Sequence, residues 1–178
     1  VIFFFEQVTG HLIPDMRFAL KYGVKEMLKK IEGKEGDGYK AFRIALESVV
    51  ILANRYADIA AEQAKTASPE RKAQLEVIEK TLRKVPENGA ETLCEAIQSF
   101  ILMWQVMCLE QTPNPFAFSV GNADRIFEPY RNGLDRDTTA ALLKHFLVFF
   151  NVADRSWAIS QNIIVSGRDI DGNDLTND

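Results

Sequence analysis

Four side chains near the end of the sequence carry oxygen atoms of the kind that bind calcium: Asp169, Asp171, Asn173 and Asp174. A calcium-binding EF-hand loop needs glycine at its sixth position and a glutamate at its twelfth. Counted from Asp169, the glycine of this segment, Gly172, is at the fourth position. We therefore predict a solvated hairpin turn around Asp171-Gly172 and no metal site here.

The histidines and cysteines do not supply a metal site either. The two histidines are His11 and His145, and the two cysteines are Cys94 and Cys108. The cysteines are about four turns apart on one predicted helix, too distant to pair, so we predict buried, reduced thiols. His145 is predicted to lie on a helix face. His11 precedes a helix start, and a capping or core position is the alternative to a role in a pocket.

The composition excludes several classes of partner. The net charge is −4, and the 21 basic residues are scattered along amphipathic segments. This distribution gives neither a nucleic-acid footprint nor a polybasic membrane patch. No apolar run is long enough to cross a bilayer, and the apolar stretch from Val1 to Phe5 is too short for the core of a signal peptide. Together with the reduced thiols, this leads us to expect a cytoplasmic protein. Because the chain starts at Val1 and ends in polar residues, we expect part of a longer protein.

Most of the sequence has a helical period, so we predict a mainly α fold with a few short strands. Gly10 to Pro14 is predicted to be a turn that leads into the first helix. The predicted helices run from Pro14 to a glycine-rich loop at 33–38, from Asp37 or Gly38 to about Lys65, from Pro69 to about Lys84, from Ala90 to Gln111 and from Asp135 to Ala153. The side chains of the last helix that are predicted to face inward are Leu142, Leu143, Phe146, Leu147, Phe149 and Phe150. Ser68 is the predicted N-cap of the third helix. The fourth helix is apolar on more than one face, which is typical of a helix buried in a larger body.

The segment from Asn114 to Tyr130 interrupts this helical pattern. Pro113 and Pro115 end the apolar helix, and Gly121 marks a turn further on. We predict a short strand at Phe116 to Val120 and a second at Asn162 to Ser166. This segment thus combines the end of a buried helix, a proline break, a strand and a glycine turn. Such a combination brings several backbone segments close together, as in the wall of a pocket.

Four segments, in order, resemble the pyruvate formate-lyase domain of glycyl radical enzymes. They are GHLIPD at 10–15 with Leu20 and Gly23, the aromatic Trp104, SVG at 119–121 with Asp124 and Pro129-Tyr130, and NIIV at 162–165 with the glycine and aspartate positions up to Thr176-Asn177. The Pro129-Tyr130 pair resembles the form that this motif takes in the family's branch of dehydratases, decarboxylases and C–X lyases.

The resemblance implies that residues 1–178 are part of a single domain, truncated at both ends, from a ten-stranded α/β barrel. It also implies a protein glycyl radical that generates a thiyl radical on a cysteine. An S-adenosylmethionine iron–sulfur activating enzyme would install the glycyl radical, with no cofactor bound directly. The resemblance further implies that the substrate is a small molecule and that the full-length protein is a homodimer. The family's cysteine and glycine loops lie downstream of its "D-x-T-N" element, so no catalytic residue is assigned in this chain, and neither Cys94 nor Cys108 is the thiyl.

Four residues are candidates for substrate binding under this resemblance: His11, Phe116, Ala117 and Ser119. Polyol-handling members carry a His-Ser pair where this chain has Phe116 and Ala117. An apolar wall here favours a substrate with an apolar or aromatic portion, because unpaired hydroxyls in a closed pocket cost about 1–3 kcal/mol each. Asn122 and Arg125 replace the family's arginine and glutamine. A pyruvate formate-lyase homologue and a non-catalytic helical interaction module are the alternatives.

Overall fold

The computed structural model describes residues 10–111, 116–152 and 162–176. In chain order, the elements are β1 (Gly10–Leu12), α1 (Met16–Lys30), α2 (Asp37–Ala64), α3 (Pro69–Lys84), α4 (Leu93–Gln111), β2 (Phe116–Phe118), β3 (Gly121–Asn122), α5 (Ala123–Phe127), a 3-10 turn (Glu128–Tyr130), α6 (Arg136–Val152) and β4 (Ile163–Ile164). The mainly helical character is confirmed. The chain divides into a helical unit, 17–103, and a strand unit, 1–16 with 104–178.

The helical unit is built on close packing of α2 against α3 through small side chains. Ala53 and Ala57 form one cluster with Leu82 and Leu102, and Ala60 and Ala64 form another with Leu75. Alanine brings the two backbones close together, and the apolar contact is buried at little cost in side-chain entropy. The predicted start of α3 is confirmed, because the Ser68 side chain accepts a hydrogen bond from the Arg71 N–H.

The first helix is not continuous, contrary to the prediction. Gly23 has φ 76° and ψ 172° and interrupts α1. The freed N–H groups of Val24 and Lys25 donate to the carbonyls of Pro86 and Glu87, both at 2.9 Å. A backbone segment from another part of the helical unit thus supplies acceptors that the helix lacks at this point. The apolar periodicity of α1 gave no sign of the break.

The strand unit contains short parallel pairs. In one pair, Gly10 and Leu12 of β1 lie opposite Phe116 and Phe118 of β2, and in the other β3 is parallel to β4. The segment from Gly10 to Pro14, predicted to be a turn, is therefore a strand at its start. The predicted strands at Phe116 to Val120 and Asn162 to Ser166 are present but shorter.

Aromatic side chains of three helices form a cluster within the buried part of the strand unit. Phe146 lies 5.0 Å from Phe127 and 5.4 Å from Phe150, measured between ring centroids. The ring of Trp104 lies 4.7 Å from that of Phe150. All four side chains are at most 3% exposed. Stacked, tilted and edge-to-face pairs of this kind are favourable beyond the apolar area they bury.

Several burial predictions are wrong. Leu147 and Phe149 of α6, predicted to face inward, are 49% and 46% exposed. Leu109, in the apolar run of α4, is 78% exposed in this chain, and the burial of α4 in a larger body stays a prediction. Cys94 is exposed and Cys108 only half-buried, so the predicted burial of the two thiols is wrong. Among the described residues, none of the helices is both long and apolar enough to cross a membrane.

Replacing Gly23 with alanine is expected to destabilise the protein strongly, because an added Cβ would lie 2.4 Å from the Asn88 carbonyl carbon. Gly33 is the matched control, since it also has positive φ but an added Cβ there meets nothing within 4 Å. We expect Gly33→Ala to cost about 1 kcal/mol of unfolding free energy from backbone strain. Gly23→Ala should cost at least about 2 kcal/mol more. Urea denaturation measures both, and equal losses would contradict the close approach.

Candidate functional site

Ser119 and Val120, the two residues between β2 and β3, donate hydrogen bonds to two different segments of the chain. The N–H of Ser119 donates to the Leu12 carbonyl at 2.9 Å, and the N–H of Val120 donates to the Asn162 carbonyl at 3.3 Å. Leu12 ends β1, and Asn162 precedes β4. Three parallel stretches of chain therefore meet at Ser119 and Val120, and these two residues are 6% and 0% exposed.

Two side chains complete the bonding at this junction. The indole Nε1 of Trp104 donates to the Phe118 carbonyl at 3.0 Å. The hydroxyl oxygen of Ser119 accepts a hydrogen bond from the Asn162 N–H at 3.3 Å. Because Ser119 accepts here, its own hydroxyl proton remains available for donation to a further group.

The predicted substrate-binding residues are brought together in part. The register of β1 and β2, with Gly10 opposite Phe116 and Leu12 opposite Phe118, puts His11 level with Ala117. Ser119 follows directly at the end of β2. The side chains of His11, Phe116 and Ala117 lie outside the part of the chain that the structure describes, so their contact with substrate stays a prediction.

Asp124 and Arg125, at the start of α5, hold both backbone groups of Ser166. A carboxylate oxygen of Asp124 accepts from the Ser166 N–H at 2.6 Å, and Arg125 Nη2 donates to the Ser166 carbonyl at 3.2 Å. Ser166 has φ 59°, and Gly167 follows with φ 105°. The pair therefore stabilises a left-handed turn that begins two residues after the end of β4. Arg125 stands where the family has glutamine, and its backbone partner could not be found from sequence.

The acidic segment at 168–174 is the predicted hairpin turn. Arg168 and Asp174 form an antiparallel bridge, and the Gly172 N–H donates to the Asp169 carbonyl at 3.1 Å. The Asp169 carboxylate accepts from the side chain and the N–H of Asn173, which lowers its pKa. The carboxylate is thus engaged in the turn itself. In the described ranges, no group of three His, Cys, Asp or Glu side chains is arranged to hold a metal ion.

His145 lies away from this junction, on α6. Its side chain is exposed and its ring lies 4.6 Å from that of Phe149. This agrees with the prediction of a helix-face histidine. Burial raises the pKa of Tyr130, the residue that ends the 3-10 turn.

The family model described as pyruvate formate lyase-like matches residues 2–178. The chain belongs to the pyruvate formate lyase-like family. The resemblance stated from the four sequence segments is thereby confirmed. It also agrees with solved structures similar to this family member, which include glycyl radical enzymes.

Curated relatives of this family member are lyases and dehydratases. An isethionate sulfite-lyase of Oleidesulfovibrio alaskensis is 34% identical over 92 residues, covering 51% of this chain and 11% of the relative. A trans-4-hydroxy-L-proline dehydratase of Clostridioides difficile is 32% identical over 149 residues, covering 74% of this chain and 18% of the relative. The family member thus spans less than a fifth of the length of these two enzymes.

Solved structures agree with this relationship. A glycyl radical enzyme from Archaeoglobus fulgidus superposes with a TM-score of 0.82 at 26% identity, over 96% of this chain and 26% of that one. The glycerol-bound B12-independent glycerol dehydratase from Clostridium butyricum gives a TM-score of 0.80 at 27% identity, over 96% of this chain and 25% of that one. The family member therefore corresponds to about a quarter of each.

Asp124→Ala is expected to release the turn at Ser166. The Ser166 N–H would lose its acceptor while the residue keeps an unfavourable positive φ, at a cost of about 1–3 kcal/mol in unfolding free energy. Hydrogen exchange of the Ser166 amide should accelerate at least about tenfold. The control is Asp135→Ala, which removes an exposed carboxylate that accepts from the Thr138 N–H at the start of α6. Equal exchange rates of the Ser166 amide in the wild type and in Asp124→Ala would show that the Asp124 carboxylate does not hold this turn.

Proposed function

We propose that the chain is an internal part of a glycyl radical enzyme that cleaves C–C or C–X bonds, of the dehydratase, decarboxylase or lyase kind. The observation that carries this proposal is the family match over residues 2–178. The lyase and dehydratase names of the relatives support this branch over a pyruvate formate-lyase homologue and over a non-catalytic helical module. We place the protein in the cytoplasm.

In this proposal, residues 1–178 form part of one domain and contribute helices and strands to a ten-stranded α/β barrel. Parallel pairing of β1 with β2 and of β3 with β4 supports this, because barrels of this kind are built from neighbouring parallel strands. The turn after β4, fixed by Asp124 and Arg125, would direct the chain out of the barrel wall.

The radical chemistry would come from segments beyond this chain. A glycyl radical, installed by a radical S-adenosylmethionine activating enzyme, would supply the thiyl that abstracts a hydrogen atom from substrate. Cys94 on α4 is exposed and is not assigned to this role, and neither is Cys108. The residues of this chain would bind and orient the substrate, so that residues 1–178 alone are inactive. The full-length protein would act as a homodimer.

The substrate would contact the junction of β1 and β2. His11 is level with Ala117 across the pair, and the Ser119 hydroxyl retains a proton to donate. Phe116 and Ala117 provide no donor of the kind that polyols need. A small molecule with an apolar or aromatic portion next to a single hydrogen-bonding group fits these residue types.

Anaerobic activation of the full-length protein tests the proposal. Incubation with a radical S-adenosylmethionine activating enzyme should give the doublet signal of a glycyl radical in the EPR spectrum. Turnover should then follow for at least one compound of a panel containing isethionate, trans-4-hydroxy-L-proline, glycerol, 1,2-propanediol and arylacetates. A full-length sequence without a downstream cysteine loop and a C-terminal glycine loop would refute the proposal, as would the absence of a radical.

Phe116→His in the full-length protein tests the apolar wall. It introduces a polar donor that the substrate would not match, so kcat/KM for the wild-type substrate should fall at least about tenfold, the effect of leaving one polar group unpaired. Phe116→Leu keeps the apolar character and should stay within about threefold. Steady-state kinetics measure both, and unchanged turnover in Phe116→His would place Phe116 outside the pocket.

A further inference from the structure

The helix α2 has a second face, opposite the one that packs against α3. Its buried residues, which include Ala53, Ala57 and Ala60, lie on one side of the helix, since successive residues turn by about 100°. The opposite side is a row of exposed residues spaced three or four apart. We call this row the outer face, and its members are Asp37, Lys40, Ile44, Glu47, Ile51, Arg55, Asp58, Glu62 and Lys65. The outer face is accessible to another molecule.

The middle of the outer face is apolar. Ile44 and Ile51 are 68% and 59% exposed. Because they are two helical turns apart, their side chains lie on one line along the helix. Single exposed apolar side chains are normal on a protein surface, so the two isoleucines alone do not identify a partner. The charges around them decide which partner fits.

These charges change sign symmetrically about Ile51. When a second copy of α2 lies antiparallel with Ile51 opposite Ile51, each residue lies opposite the one that is equally far from Ile51 on the other side. The charged pairs that result are Asp37 with Lys65, Lys40 with Glu62, and Glu47 with Arg55. Every one of these pairs joins opposite charges, and a twofold axis makes each of them occur twice.

Other arrangements of two such helices bring like charges together. In a parallel pair in register, each charge lies opposite the same charge of the copy. In an antiparallel pair shifted by one heptad, Asp37 lies opposite Asp58 for one direction of the shift, and Glu47 lies opposite Glu62 for the other. Like charges across an interface are unfavourable, so the charge pattern selects one direction and one register.

The two ends of the outer face each carry an ion pair within the helix. The Lys40 Nζ lies 3.2 Å from a carboxylate oxygen of Asp37, and the Lys65 Nζ pairs with the Glu62 carboxylate. In the antiparallel arrangement, one end of α2 meets the other end of its copy, and the two pairs join into a network of alternating charge. Such a network is more favourable than isolated ion pairs on a surface.

Asp58 is the acidic member of the outer face that lies opposite an apolar residue, Ile44 of the copy. An oxygen of its carboxylate lies 2.5 Å from Nη2 of Arg83, on α3. The carboxylate therefore does not bring an unpaired charge to this contact.

We propose that the outer face of α2 is the interface of a homodimer, in which two copies of α2 lie antiparallel across a twofold axis at Ile51. The isoleucines form its apolar centre and the charged pairs form its rim, as in other protein interfaces. The charges set the direction and the register of the pairing. This inference rests on the homodimer of the proposed function and names the surface through which it forms.

Charge reversal in the full-length protein tests this interface. Glu47→Arg places arginine opposite arginine at two contacts, and Arg55→Glu places carboxylate opposite carboxylate. Each variant alone should raise the dissociation constant of the dimer at least about tenfold, because attractive contacts become repulsive. Sedimentation equilibrium measures this constant.

A mixture of the two variants is the decisive measurement. A heterodimer of Glu47→Arg with Arg55→Glu has opposite charges at both contacts, so its dissociation constant should lie within about threefold of that of the wild type. A chain that carries both changes should dimerise equally well. Native mass spectrometry distinguishes the heterodimer from the homodimers when one variant carries a tag of different mass.

Glu76→Arg is the matched control. It makes the same change at an exposed carboxylate of α3, outside the outer face. The dissociation constant should stay within about twofold of the wild-type value, as for most surface substitutions.

The outcomes separate this interface from the rest of the proposed function. If the wild type is a dimer whose dissociation constant changes in neither single variant, or if mixing does not restore it, the interface is overturned and the homodimer stands. If another segment of the polypeptide covers the outer face, the single variants melt at lower temperature without a change in dimer dissociation, which also overturns the interface. A monomeric wild type overturns the interface and the homodimer, whereas the lyase function still depends on the glycyl radical and on turnover.

Discussion

Three consecutive backbone groups are satisfied by three separate parts of the chain. The carbonyl of Phe118 bonds to a side chain of α4, the N–H of Ser119 to the end of β1, and the N–H of Val120 to the residue before β4. All three groups are buried, where an unpaired polar group costs about 1–3 kcal/mol. The elements of the strand unit are therefore constrained to meet at this point, and displacing one of them leaves a buried group unpaired.

The helical unit depends on a comparable backbone contact. An added Cβ at Gly89 would lie 2.2 Å from the Lys21 carbonyl oxygen, and one at Gly23 would lie 2.4 Å from Asn88. Two chain segments approach so closely that only glycine fits on either side. The glycine at position 23 was part of the motif from which the family resemblance was stated, and the contact gives a physical reason for that residue type.

Local signals predicted the helices well and the strands poorly. Helical periodicity and the Ser68-Pro69 cap act within a few residues, and α2 and α3 begin and end close to the predicted positions. The break in α1, the strand β1 and the short α5 were missed. Strands of two or three residues have no measurable period, and the break is satisfied by Pro86 and Glu87, far along the chain. At the site, Ser119 was found by resemblance. Its partner Asn162 is 43 residues away, and a bond between a side chain and the backbone over that separation leaves no sequence pattern.

The pairing of Leu12 with Phe118 joins two segments that the ribosome makes at different times. At about 5–20 residues per second, β1 leaves the ribosome about 5–20 s before its partner strand. The helical unit, 17–103, is made entirely in that interval. During this time β1 has an unpaired edge, which is a hazard for association with other nascent chains. A strand of three residues is a poor template for such association. The shortness of β1 therefore lowers the risk of aggregation before β2 has been synthesised.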